Sequence, residues 1–192
     1  MFAYTTDGQT RVLRATRTLV AKRGYADVSL RDIAANAGYS PAGVYAHFRS
    51  RDAILDALAD GVRAELYAEL KKGASVEAQA ADRLVNIGFA YVEFARLHPA
   101  EFELLFRWTR SRRRGRTDRR QSPFDLLKNV ARQVHPEASE DEIELACLGL
   151  WTVAHGLACL RASHLASFSG DWNQWGRQLL RAQVEGALCA SR

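Results

Sequence analysis

Tyr45 and His47 stand two residues apart in the stretch "AGYSPAGVYAHF", with Arg49 and Arg51 just beyond. A phenol, an imidazole and guanidinium groups at this spacing suit contact with phosphate oxygens rather than bond making. Ala42, Gly43 and Ala46, interleaved with them, offer methyl groups and close backbone approach but no hydrogen bond to a base edge. Ser40 and Arg31 supply the nearest polar groups, and Pro41 follows Ser40 directly. Other chemistry is thinly provided. His155 and Cys159 have the i, i+4 spacing of metal ligands, but no further Cys or His pair completes a four-ligand site. No His-Asp-Ser constellation and no Gly-rich phosphate loop is evident, so neither catalysis nor a cofactor or metal is expected.

Bulk charge does not place a polyanion. The formal net charge is +5, yet Arg110 to Arg120, "RSRRRGRTDRR", alone carries +6, leaving −1 for all other residues. Dense like charge around Gly115 reads as a solvated loop between helices, with a second contact to nucleic acid or another polyanion as the alternative. At 192 residues and 47% hydrophobic content the chain can bury a real core. "MFAYTTDGQT" lacks the charged start and apolar run of a leader, which points to the cytoplasm. The apolar stretch from Leu145 to Leu160 falls short of the roughly 20 residues of a bilayer span and reads as a central core helix, so no membrane partner is expected. Cys147, Cys159 and Cys189 are an odd, loosely spaced set, consistent with reduced thiols.

The elements that must position these residues are helices throughout. Gln9 to Arg23 places Val12, Leu13, Thr16, Leu19 and Val20 on one face and Arg11, Arg14, Thr18 and Lys22 opposite, with Gly24 as the stop. Ser29-Leu-Arg-Asp fits a capping box opening a second helix, whose Leu30, Ile33, Ala34 and Ala37 form a buried stripe ended by Gly38. Ser40 as N-cap and Pro41 at the first turn open a third. At about 100° per residue, Val44 and Phe48 face the core, Ala42, Gly43 and Ala46 face away, and Tyr45 and His47 take opposite flanks. Two short helices joined by a tight turn and backed by a third are a helix-turn-helix pattern.

That stretch, "SLRDIAANAGYSPAGVYAHFRSRDAIL", resembles the DNA-binding domain of the TetR family of bacterial transcriptional regulators. The likeness runs from Gln9 to Leu58 without a gap: the Gly-Tyr after the first helix, the Ile-Ala-Ala, the Ser-Pro start and the Tyr-x-His-Phe end. It implies Tyr45 and His47 on phosphates and Arg51 on the backbone near the fourth helix. Ala46 departs from the pattern, relatives often carrying a large polar residue there. Further on, "YVEFARLHPAEFELLF" and "WTVAHGLACL" resemble the regulatory domain of a subfamily named for a Trp-His-Gly signature, here Trp151, His155 and Gly156, over Val85 to Ala158.

The expected architecture is all-α, with about nine helices in two domains. Residues 1–50 form a three-helix DNA-binding domain; residues 51–192 form an antiparallel helical bundle for ligand binding and dimerisation, with the helix over 51–72 linking the two. Later helices are expected at Val76 to Leu97, Pro99 to Trp108, Phe124 to Val134, Asp141 to Ser163 and Trp172 to Ala190. The resemblance implies double-stranded operator DNA read as a homodimer through the last two long helices, and a small-molecule effector in a helical pocket. Phe89, Tyr91, Phe102, Phe106, Trp108, Trp151 and His155 are the candidate pocket lining, and an apolar or neutral effector is expected. The alternative is a helical sensor or interaction protein on the same scaffold without sequence-specific DNA binding.

Overall fold

The computed structural model describes residues 7–75, 79–108, 122–163, 167 and 169–189. The arginine run at 110–120 lies outside them. Nine α-helices make up the described residues: α1 (Asp7–Arg23), α2 (Leu30–Ala37), α3 (Pro41–Tyr45), α4 (Arg51–Ala74), α5 (Ala80–Leu97), α6 (Pro99–Arg107), α7 (Pro123–Val134), α8 (Glu140–Arg161) and α9 (Trp172–Val184). A π-helical turn, Glu185–Cys189, follows α9.

The chain divides into two compact units, Met1–Glu65 with His98–Arg114, and Leu66–Leu97 with Gly115–Arg192. This differs from a division after residue 50: the first unit takes the N-terminal part of α4 and all of α6. The reason is chemical. Arg17 follows Leu13 by four and precedes Val20 by three, so it lies beside the apolar stripe of α1, where a charge needs partners. It finds Glu65 on α4 at 2.7 Å and Glu101 on α6 at 3.2 Å. Glu101 is itself buried, so α6 is held to α1 by a largely desolvated ionic contact. The apolar filling of this unit is Val12, Leu13, Val20, Ile33, Val44, Ile54, Leu55, Leu58, Val62 and Leu104, all fully buried. Burial of each side chain of this size is worth about 1.5–3 kcal/mol.

In the second unit α5 packs against α7, α8 and α9. Salt bridges fix the register. Lys128 meets Glu144 and Arg132 meets Glu140, so α7 and α8 run antiparallel. Gly149 sits against Gln183 and Gly176 against Leu157, which makes α8 and α9 antiparallel as well. The N-terminus of α8 is closed by a second capping box, Ser139 with Glu142. By length and composition α8, at 22 residues, could cross a membrane, longer than its apolar stretch suggested. One of its faces is buried: Ile143, Ala146, Cys147, Leu150, Ala154, Leu157 and Ala158 all lie within the unit. Its other face is apolar and open, with Leu145 71%, Leu148 56% and Leu160 45% exposed. On α9, Trp175 and Leu179 are likewise exposed.

Candidate nucleic-acid interface

The α2–α3 pair is built by its caps. Ser29 accepts the Asp32 N–H while the Asp32 carboxylate accepts the Ser29 N–H and hydroxyl, and Arg23 approaches the same carboxylate to 2.8 Å. These contacts, the Ser29 hydroxyl first, hold the Asp32 carboxyl at about 2. At the other end Gly38 takes φ 70°, a left-handed conformation that a side chain would strain, and its N–H closes α2 onto Ala34 and Ala35 carbonyls. Ser40 then caps α3 by accepting the Gly43 N–H at 3.0 Å, with Pro41 in the first turn.

One side chain anchors α3. Val44 is fully buried, and around it Ser40, Pro41, Ala42, Tyr45 and Ala46 are exposed, with Gly43 partly so. The outward face expected from the helical period is thus the outward face observed. Arg31 is exposed on α2.

The flanks differ from expectation. α3 ends at Tyr45, because the N–H groups of His47 and Phe48 converge on the Val44 carbonyl, each at 3.0 Å. The tightened turn brings His47 inward. Its imidazole is half-buried, 5.3 Å from the Tyr39 ring and so close over α1 that a Cβ on Gly8 would fall 2.3 Å from it. Gln9 donates to its carbonyl at 3.2 Å. Tyr45, 56% exposed, keeps its outward flank. Phe48, expected in the core beside Val44, is only partly buried.

Arg51 is also turned inward. Its guanidinium donates to the carbonyls of Val28 and Tyr25, each at 2.5 Å, and of Ala26 at 3.3 Å. It lies 5.7 Å from the centre of the Trp108 ring, which packs edge-on against Tyr25 and donates to Asp56 at 2.9 Å. Expected on the DNA backbone, Arg51 instead ties the loop between α1 and α2 to the start of α4. Of the three accepting residues Val28 is buried, and a buried carbonyl without a donor is unfavourable. Nothing in the periodicity marked it.

The residues expected to line a pocket are divided between the two units. Phe102, Phe106 and Trp108 belong to the first unit, where the Phe102 and Phe106 rings meet at 4.8 Å with a tilt of 46° and Phe106 is 41% exposed. Phe89, Tyr91, Trp151 and His155 belong to the second. There, the Tyr91 hydroxyl lies 3.0 Å from His155 Nδ1 and its ring 5.4 Å from Trp151. Phe89, half-buried, is covered by the exposed Arg177 guanidinium at 4.0 Å, a cation–π contact. Beside Tyr91 and Trp151, with Leu70, Ile87, Leu127, Leu150 and Ala154, there is a space of about 10 Å³, no more than one water requires. Burial pushes the Tyr91 phenol up and the His155 imidazole down, so both are neutral near pH 7. Among the described residues no group of three or more His, Cys, Asp or Glu is placed to hold a metal ion.

The profile of bacterial regulatory proteins of the tetR family matches residues 12–58, and that of the tetracyclin repressor-like C-terminal domain matches residues 84–183. The chain belongs to the TetR family. TetR-family proteins are DNA-binding transcriptional regulators, not enzymes. Among solved structures, a protein of unknown function from Rhodococcus sp. RHA1 is similar over 97% of this chain and 98% of its own, at 23% identity and a TM-score of 0.82. A tetR-family regulatory protein from Rhodococcus RHA1 is similar over 97% of this chain and 100% of its own, at 21% identity and a TM-score of 0.71. At those identities they show the shared TetR fold. The nucleoid occlusion factor SlmA of Pasteurella multocida (strain Pm70) is 30% identical over 90 residues, 47% of this chain. The match spans 45% of that protein.

Proposed function

We propose that this TetR-family chain is a repressor that acts in the cytoplasm, binds a palindromic operator as a homodimer, and is released by an uncharged, mainly apolar small molecule. The observation that carries the DNA-reading part is the exposed face of α3, Ala42, Gly43, Tyr45 and Ala46, seated on Val44 in a helix that Ser40 caps and that follows the capped α2. Such a face can enter a major groove, reading thymine methyls and groove shape rather than forming bidentate hydrogen bonds. Ser40 and Tyr45 reach phosphates from its edges, and Arg31 adds a charge from α2. His47 contributes by seating α3 on α1.

Dimerisation is supported by the open apolar faces of α8 and α9, whose Leu145, Leu148, Trp175 and Leu179 are exposed. A two-fold pair of reading heads needs half-sites about one helical turn apart. Release by an effector is supported by the apolar surroundings of Tyr91 and Trp151, which hold neutral hydrogen-bonding groups at Tyr91 and His155. With so little open space there, the effector must displace side chains to enter, favouring a second conformation. Selection of duplexes from a random library by the full chain tests the reading. Enrichment of an inverted repeat is expected; a library left unenriched at moderate salt would overturn it.

A further inference from the structure

Arg11, exposed in the second turn of α1, reaches the turn between α2 and α3. Its guanidinium lies 5.1 Å from the centre of the Tyr39 ring. It also lies against Gly38, where a Cβ would fall 2.6 Å from a terminal guanidinium nitrogen. Gly38 takes φ 70° and carries no side chain, which leaves that space to the arginine. The same Tyr39 ring meets the His47 imidazole at 5.3 Å, and the Gln9 amide donates to the His47 carbonyl. The first turns of α1 therefore hold the chain on both sides of α3, Arg11 before it and Gln9 after it.

Charge sets Arg11 apart. In the same unit Arg17, Arg23 and Arg63 each meet a carboxylate. In the second unit Arg96, Arg132, Arg161 and Arg181 do the same. Among the described residues Arg11 meets no carboxylate and donates no hydrogen bond; its neighbour is an aromatic face. A ring attracts a cation through its quadrupole and has no net charge, so the guanidinium is held without being neutralised. Its in-plane N–H groups suit the two oxygens of a phosphate.

We propose that Arg11 holds a phosphate of the bound DNA and that Tyr39 is its positioning residue. The proposal rests on the reading of DNA by α3 given above and adds a contact from α1. Ser40, the N-cap of α3, follows Tyr39 directly, so the seat of Arg11 lies at the edge of the reading helix and away from the outward face of Ala42 and Ala46. A backbone contact from that edge sets the helix on the duplex and carries no sequence preference. An arginine surrenders side-chain freedom when it binds, and one already resting on a ring surrenders less.

The test titrates the full chain and its variants against two duplexes of unrelated sequence at several salt concentrations, with urea unfolding alongside. Arg11→Gln should lower the log–log salt slope by about 0.9 and weaken binding to both duplexes by about five- to tenfold at ~0.1 M salt, with the unfolding midpoint kept. Arg11→Lys keeps the charge and should keep the slope. Tyr39→Leu should keep the slope and weaken binding by about two- to fivefold, the loss of an exposed cation–π contact. In the Arg11→Gln background Tyr39→Leu should weaken binding no further, because it acts through Arg11. An unchanged slope in Arg11→Gln overturns the proposal, and so does its failure to fold, which would make Arg11 a tie between α1 and the turn. Native binding by Tyr39→Leu, or an equal loss in the Arg11→Gln background, overturns the positioning role. Should the native chain bind neither duplex at low salt, the DNA reading falls and Arg11 with it; a native chain that binds while Arg11→Gln keeps its slope rejects Arg11 alone.

Discussion

Replacing Arg51 with Met distinguishes a residue that holds the DNA-reading unit together from one that touches DNA. Methionine keeps much of the stem that packs beside Trp108 but removes the guanidinium. The loss is set by two short charge-assisted hydrogen bonds, to the Val28 and Tyr25 carbonyls, and a longer one to Ala26. Each charge-assisted bond contributes about 1.5–3 kcal/mol. The side chain is 27% exposed, so water recovers part of this, and the lower end applies. Two bonds at that end give a destabilisation of about 3 kcal/mol. For a chain of this size that corresponds to a fall in Tm of roughly 6–12 °C. Urea unfolding of wild type and variant measures it. Titration of each folded protein against a non-specific duplex at several salt concentrations supplies the second readout, since a lost phosphate contact lowers the log–log slope by about 0.9. An unchanged slope is expected. A variant as stable as wild type to within about 0.5 kcal/mol, the usual range of an inert surface change, with a slope reduced by one contact, would show that Arg51 faces DNA instead.

Ala46→Arg should change the preferred base at one position per half-site by about 1–3 kcal/mol, because a guanidinium there can reach guanine O6 and N7; an unaltered selected sequence would reject the assigned face of α3. Leu148→Glu, on an open face of α8, should leave unfolding free energy nearly unchanged while converting a dimer to a monomer in sedimentation; persistence of the dimer would move the interface elsewhere. The carboxyl of Asp32, held at about 2 against an ordinary 3.8, lends stability that is full above 3.8 and lost as pH falls toward 2. The stability difference between wild type and Asp32→Ala should therefore be constant above pH 4 and shrink across that interval; a difference that grew with acid would reverse the sign. Serine at the arginines of Arg110 to Arg120 should leave the salt slope unchanged, and a loss of slope would establish a second contact with DNA.

Much of the first unit was legible because it obeys local rules. Ser29, Gly38, Ser40 and Pro41 announce where α2 and α3 begin and end, and the apolar period placed Val44 inside and Ala42 and Ala46 outside. The rest is set by contacts that local rules do not reach. A regular helix continued past Tyr45 would put His47 on the outer flank, whereas the last turn tightens onto one carbonyl and rotates the ring toward α1. Arg51 and Arg17 find their partners 23 and 84 residues away in sequence, in a loop and on α6, which no window along the chain reveals. Arg17 did leave a trace, a charge set close to an apolar stripe. The Ser139-Glu142 capping box could have been read directly from "SEDE". The apolar and aromatic residues of the central helices suggest a pocket lining, and the contact of Glu101 with Arg17, which groups α6 with α1, is not visible in their pattern.

The dependence of α3 on so few residues has a consequence for how such a protein changes over time. Ser40, Pro41 and the buried Val44 determine where the reading helix sits, while Ala42 and Ala46 are exposed and bear no part of the load. On the proposed reading of DNA through this face, substitutions at the outward positions would alter what is read with little effect on whether the chain folds, within the roughly ±0.5 kcal/mol of ordinary surface changes. Selectivity and stability are separately adjustable here. A lineage, or a protein engineer, can walk this scaffold through many operators without first raising its stability, and its present methyl-rich face is an unusually neutral place to start.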